Sequence, residues 1–284
     1  MAELDSPSAA LAEPEYTMSA ADFERVRQLI YQRAGISLHA GKQAMVYSRL
    51  ARRLRETGRR SFAEYLQALE RGGSAAEWQE FVNCLTTNLT SFFREEHHFH
   101  ALVDDLRTRA ARLQGRPLRI WCSAASTGEE PYTLAMTVVE ALGASAAARI
   151  VASDIDTKVL ASAQRGVYAA DARGLSAERL KRHFLRGTGA NAGAIRVRPE
   201  LARLVEFRTF NLMNTDWSAL GEPFDIVFCR NVMIYFDNAT QRRVLARIHG
   251  TLRAGGLLYV GHSENFTDAR ELFRLRGKTT YERL

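Results

Sequence analysis

Three cysteines, Cys84, Cys122 and Cys229, are too few and too scattered in 284 residues for a disulfide framework or a cysteine-based zinc site. They read as small buried residues. No apolar run approaches the roughly 20 residues of a membrane-spanning helix, so no direct membrane insertion is expected. The N-terminal MAELDSPSAALAEPEYT is acidic, whereas a secretory leader is basic and then apolar; the chain is expected to be soluble and unexported. The G-x-G-x-x-G spacing of a dinucleotide loop is missing, and so is any internal repeat. Low complexity is confined to residues 1–17, small, polar and proline-containing, for which disorder is expected.

What remains is an ordinary globular composition, 46% apolar and 25% charged. The length predicts about two domains, each able to bury its own core. A net charge of +7 favours acidic partners, whether nucleic acid, anionic lipid or protein, and charge alone does not choose among them.

Residues 18–90 carry helical spacing. Phe23, Val26, Leu29 and Ile30 recur after an N-cap candidate at Ser19 or Asp22, and Ala34-Gly35 ends that helix. A second helix, about Lys42 to Thr57, puts Val46, Tyr47, Leu50 and Leu54 on one face. Lys42, Arg49, Arg52, Arg53 and Arg55 lie on the other, before a basic turn at Arg59 and Arg60. Residues 48–60 hold six arginines and one acid, a density suited to docking on a carboxylate-rich helix. Two more amphipathic helices, around Phe62–Leu69 and Trp78–Leu85, close a small bundle.

Residues 91–116 read as a linker and connecting helix. From 117 to 284 strands and helices alternate, which predicts an α/β fold with a doubly wound, mostly parallel sheet. Residues 175–203 break that rhythm: HFLR, a glycine-rich GTGANAG turn and AIRVR predict a projecting antiparallel β-hairpin, whose free edge suits capture of an extended peptide.

Three places carry chemistry. The first strand ends in WCSAASTGEEPYTLA, whose small residues let a ligand approach the backbone and whose Glu130 disfavours a pyrophosphate but suits an amine. The second ends in VASDID, where Asp154 is placed to accept from both ribose hydroxyls and Asp156 to cap the following helix. The third is FDIVFCRNVMIYFD, a strand buried on both faces that delivers Arg230, Asn231 and Tyr235 just past its C-terminal end, where open parallel sheets bind ligands. An adenosine ligand without phosphate fits this set, and S-adenosylmethionine is the common one. TTNLTSFFRE, residues 86–95, brings Asn88, Thr90 and Arg94 to the same rim, with helix capping by Thr87 or Asn88 as the alternative. His97, His98 and His100 read as helix-surface residues, and no metal site is expected there because no fourth ligand is in view.

The order TTNLTSFFRE, SAASTGEEPYTLA, ASDID, FNL, FCRNVMIYFD and GGLLYVGHSEN resembles the CheR family of chemoreceptor glutamate methyltransferases over residues 20–284. The resemblance implies a Rossmann-like S-adenosylmethionine-dependent sheet, an all-helical N-terminal domain and an inserted antiparallel β-subdomain. It implies cofactor contacts from Asn88, Thr90, Arg94, Glu130, Asp154, Asn211, Leu212, Arg230 and Asn231, with S-adenosylhomocysteine as the product. Partners would be the cytoplasmic methylation helices of receptors, docked on Arg49, Arg52, Arg53, Arg55 and Arg59. A receptor's C-terminal pentapeptide would be held near Gly187, Thr188, Gly189 and Arg196. The resemblance further implies a cytoplasmic monomer recruited to receptor arrays.

For such a reaction no general base is needed, since a glutamate is already ionised at neutral pH. Arg94 or Arg230 would orient the acceptor carboxylate and Tyr235 would position it. Amino-group methyltransferases of nucleic acids carry a Pro-Pro-aromatic motif where this chain has Arg-Asn-Val-Met, so no nucleic-acid partner is expected.

Overall fold

A computed structural model describes residues 15–110, 113, 115–266 and 269–284. The N-terminal bundle is built from α1 (Ala20–Ala34), α2 (Gln43–Thr57), α3 (Phe62–Gly72) and α4 (Ala75–Leu85). Local chemistry sets their starts. Ser19 and Asp22 form a reciprocal capping box on α1, and Ser61 and Ser74 cap α3 and α4. Gly35 and Gly58, both left-handed, end the first two. Val26, Ile30, Val46, Leu50, Leu54, Phe62 and Phe81 are fully buried between these helices. At roughly 1.5–3 kcal/mol per side chain, that core holds the bundle together.

Most of the segment expected to be disordered lies outside the described residues. Its last part is not loose: Tyr16 packs edge-on against Phe62, and Glu15 pairs with Arg55.

After α5 (His97–Ala110) come β1 (Leu118–Cys122), α6 (Glu129–Leu142), β2 (Ala148–Asp154) and α7 (Thr157–Arg165). There follow β3 (Val167–Ala169), α8 (Ala177–His183), β4 (Phe184–Arg186), β5 (Ala194–Val197), α9 (Pro199–Ala202), β6 (Val205–Thr209) and β7 (Phe224–Cys229). The chain ends with α10 (Asn238–Thr251), β8 (Leu252–Val260), β9 (Phe273–Gly277) and β10 (Thr280–Arg283). The main sheet has the order β6-β2-β1-β7-β8-β10-β9. Its first five strands are parallel and the closing β9–β10 hairpin is antiparallel, so the sheet is doubly wound with an antiparallel edge. Every residue of β7 is buried, as its unbroken apolar run predicts for a central parallel strand. Order reverses between β1 and β7, which opens a crevice at their C-terminal ends.

The inserted subdomain is larger than the hairpin expected at 175–203. β4 and β5 form that hairpin, but β5 also pairs with β3, so the small sheet has the order β3-β5-β4 and starts at Val167. Three residues are too short a run for alternation to reveal. Gly128 shows how closely the subdomain is packed: it sits at φ 101° ahead of α6, and a Cβ there would press on the Tyr168 hydroxyl and Ala163.

Candidate functional site

The crevice holds a cavity of about 370 Å³, within the usual range for small-molecule sites. Its floor is the rim of β1, β2 and β7, and its far wall comes from the helical domain through Ile36, Leu38, His39, Lys42 and Met45. Hydrogen bonds fix that wall in place. Ser37 N donates to the Tyr235 carbonyl at 2.8 Å, Asn211 Nδ2 to the Arg33 carbonyl at 2.7 Å and Gln79 Nε2 to the Ile155 carbonyl at 2.8 Å. The wall residues carry no pattern in the sequence that would have nominated them; only the docking of the two domains does.

Asp154 ends β2 and is buried. Its Oδ2 accepts from Ser126 N at 2.8 Å and its Oδ1 from Asp156 N at 2.9 Å, so both oxygens are oriented yet each keeps acceptor capacity. Burial pushes its pKa up to about 6 against those hydrogen bonds. Asp156 is the N-cap of α7, as its position predicts, and also accepts from Asn88 Nδ2 at 2.8 Å. Asn88 therefore lines the cavity as a strut between the linker and β2. Ser126 Oγ donates to the Asn88 carbonyl at 3.0 Å, and Ser126 itself holds a left-handed φ of 48°.

Glu130 and Arg230 form the buried half of the site. Arg230 Nη1 donates to Glu130 at 2.8 Å, and Nη2 donates to the Arg94 carbonyl at 2.6 Å and lies 3.3 Å from Glu95. Burial raises the pKa of Glu130, opposed by the Arg230 charge. Burial also acts against Glu95, but the His262 hydrogen bond and the Arg230 charge hold it down at about 2. With both Nη atoms so occupied and its side chain 0% exposed, Arg230 is not available to orient an acceptor carboxylate. Arg94, by contrast, is half-buried on the cavity wall and hydrogen-bonded to the Leu89 carbonyl at 2.7 Å rather than to a carboxylate.

Thr90, Leu212, Asn231 and Tyr235 line the same cavity. Both ends of the Asn211 side chain are already used, by Arg33 O and Met213 N, so this residue shapes the site and leaves only its backbone for a ligand. Thus every cofactor residue expected from the sequence meets in one place.

The arginine face does not stand free as expected. Arg49 turns inward onto the Leu85 and Thr86 carbonyls at the end of α4. Arg53 is only 16% exposed and bridges Glu77 and Glu56. Arg52, Arg55 and Arg59 remain on the surface, each paired with an acid. Four of the six arginines, Arg52, Arg53, Arg55 and Arg59, are thus satisfied first by neighbouring carboxylates. Reversing charge at Arg53 is thus expected to loosen the bundle, by about 3 kcal/mol since it leaves part-buried carboxylates unpaired. Thermal unfolding of Arg53→Glu checks this, and a melting point equal to the parent's would restore the free docking face.

His98 is also displaced from its expected place. It is buried under the sheet, hydrogen-bonded to Thr279 Oγ1 at 2.8 Å, and burial together with Arg230 lowers its pKa to about 3. His97 and His100 are exposed, as expected. Glu95, His97 and His98 bring three ligand atoms within 4.8 Å. A divalent ion there would face the buried Arg230 guanidinium and the positive end of α5, which disfavours it.

The donor set suits S-adenosylmethionine: a carboxylate at the β2 tip for a ribose, a second, part-buried carboxylate for an ammonium, and small residues in the first loop. Ser123, buried and lining the cavity, shares a side-chain hydrogen bond with the Cys229 thiol.

Residues 88–282 match the family described as CheR methyltransferase, SAM binding domain, and residues 21–86 its all-alpha domain. A chemotaxis protein methyltransferase of Klebsiella aerogenes is 52% identical over 93% of this chain and 90% of its own length. Chemotaxis protein methyltransferase 2 of Pseudomonas aeruginosa is 53% identical over 97% of this chain and 98% of its own. The Escherichia coli chemotaxis protein methyltransferase is 50% identical over 93% and 91%. The buried carboxylates at the switch point and these matches agree, and the chain belongs to the CheR family of S-adenosylmethionine-dependent methyltransferases.

Proposed function

We propose that this chain esterifies glutamate side chains on the cytoplasmic methylation helices of membrane chemoreceptors, for sensory adaptation. The observation that carries this reading is the acceptor side of the cavity: Arg94 and Tyr235 flank it, and no Pro-Pro-aromatic motif follows β7. The names of the relatives, chemotaxis protein methyltransferases, support it. No helix among the described residues is long and apolar enough to cross a membrane.

S-adenosylmethionine supplies an electrophilic methyl group on a sulfonium. Asp154 would hold the ribose end and Glu130 the amino end. Arg94 holds the non-attacking oxygen of the acceptor carboxylate, because a tight pair with the attacking oxygen would blunt it. Tyr235 sets the approach, and the helical-domain wall excludes water from the nucleophile. Asn88, Thr90, Leu212 and Asn231 close the cofactor's surroundings.

Two surfaces would hold the receptor. Arg52, Arg55 and Arg59 are exposed on and beside α2 and can exchange their intramolecular acids for those of a receptor helix. On the small sheet, Arg196 lies between the exposed Val167 and Leu185 across the ladders, and Gly187 to Gly189 form the turn beside the free edge of β4. An extended C-terminal pentapeptide adds to such an edge. Incubation with methyl-labelled cofactor and receptor-containing membranes should yield alkali-labile label on the receptor; label no higher than in enzyme-free membranes would refute the proposal.

A further inference from the structure

Glu264 lies past β8, outside the residues so far given a role, and is 3% exposed. Its carboxylate faces only backbone donors. Oε2 accepts from Gly261 N at 2.6 Å and Asn231 N at 2.9 Å, and Oε1 from Met233 N at 2.8 Å and Ile234 N at 3.3 Å. No ion pair joins Glu264 among the described residues. A buried carboxylate is costly, and it is tolerated here because four amide N–H groups converge on it.

Three of those four amides belong to one turn. That turn begins at Asn231, which holds a left-handed φ of 56°, an uncommon conformation for a non-glycine residue. It continues through the short 3-10 helix Met233–Tyr235 and delivers Tyr235 to the cavity. Gly261, itself one of the four donors, packs directly against Asn231: an added Cβ there would collide with the Asn231 side-chain amide. The turn is thus hydrogen-bonded to the carboxylate and packed closely against the glycine.

We infer that Glu264 is a positioning residue of the cofactor site: it holds the 231–235 turn in the shape that presents Asn231 and Tyr235 to the cavity. The inference rests on the reading of Asn231 as a cofactor contact and is independent of which acceptor is methylated. Glutamine is nearly isosteric, but its amide NH2 faces two backbone donors, so Glu264→Gln keeps one pair of hydrogen bonds and sets the other in conflict.

Calorimetric titration of the full chain with S-adenosylhomocysteine tests this without any acceptor. Glu264→Gln should bind about tenfold more weakly at unchanged stoichiometry, as loss of charge-assisted hydrogen bonds predicts. Asn231→Ala should weaken binding as well, and the double variant should add little to the worse single one, because both disturb the same element. Gly261→Ala, which pushes directly on Asn231, should reproduce the effect if Glu264→Gln does not fold. Affinity within twofold of the parent in the folded variants, or additive effects in the double variant, overturns the inference. If the parent binds S-adenosylhomocysteine yet methylates no receptor, only the acceptor assignment fails.

Discussion

Asp154→Ala is expected to lower S-adenosylhomocysteine affinity by about 100- to 10,000-fold, since each hydrogen bond to a charged acceptor contributes roughly 1.5–3 kcal/mol and the ribose offers two donors. The pH dependence gives a sharper signature. Burial raises the Asp154 pKa to about 6. Hydroxyl donors favour the ionised form, so binding lowers that pKa, and below about pH 6 the parent should release a proton as it binds. Titration in buffers of different ionisation heat reads the release directly. Asp154→Ala should lose this part of it, and Asp154→Asn should bind weakly with a flatter pH profile. An alanine variant within threefold of the parent affinity, or net proton uptake by the parent, would sink the ribose assignment.

The same shift bears on stability. A raised carboxylate pKa means that the folded chain holds a proton between about pH 4 and 6 that the unfolded chain has lost. Stability from this group is therefore greatest at low pH and falls as pH rises through about 6. At neutral pH the buried charge costs on the order of 2–3 kcal/mol, a sacrifice typical of residues kept for binding.

Asp154 was legible in the sequence because a rule of topology, not of pattern, places an acid at the tip of the second strand. The β7 strand was legible through its unbroken apolar run, and the helix caps through Ser19 and Asp156. Other features were hidden for physical reasons. Arg49 and Arg53 have helical spacing that predicts a basic surface, but their direction is decided by the α4 C-terminus and by Glu77, 24 residues from Arg53. His98 looks like a surface residue until α5 is laid under β8 and β10, where Tyr259 and Thr279 receive it. Glu95 and Glu264 bring their carboxylates to the β7 turn from 136 and 33 residues away, and nothing in local periodicity marks either.

Arg230→Met should have the largest effect on the fold itself. The arginine was read as a cofactor contact, and its surroundings make it first a counter-ion: fully buried, it separates Glu130 from Glu95. Methionine fills similar space but leaves two largely buried carboxylates, 10% and 13% exposed, facing each other, a loss of about 3–5 kcal/mol. For a chain of this size that corresponds to a melting point lower by roughly 10 °C. Without the guanidinium, Glu130 loses the strongest influence that lowers its pKa, and burial and the Glu95 charge then outweigh the Cys122 hydrogen bond and the Arg94 charge further, so its pKa rises and it balances an ammonium less well. Cofactor affinity should then fall at neutral pH and recover in part as pH rises and Glu130 ionises. Arg230→Lys restores a charge but not the fork that reaches Glu130 and the Arg94 carbonyl together, so it should lie between the two. Thermal unfolding and S-adenosylhomocysteine titration at pH 6, 7.5 and 9 separate these effects. A methionine variant that melts with the parent and binds without pH dependence would show that the two carboxylates are screened by something other than Arg230, and the buried triad would lose its role in holding the site.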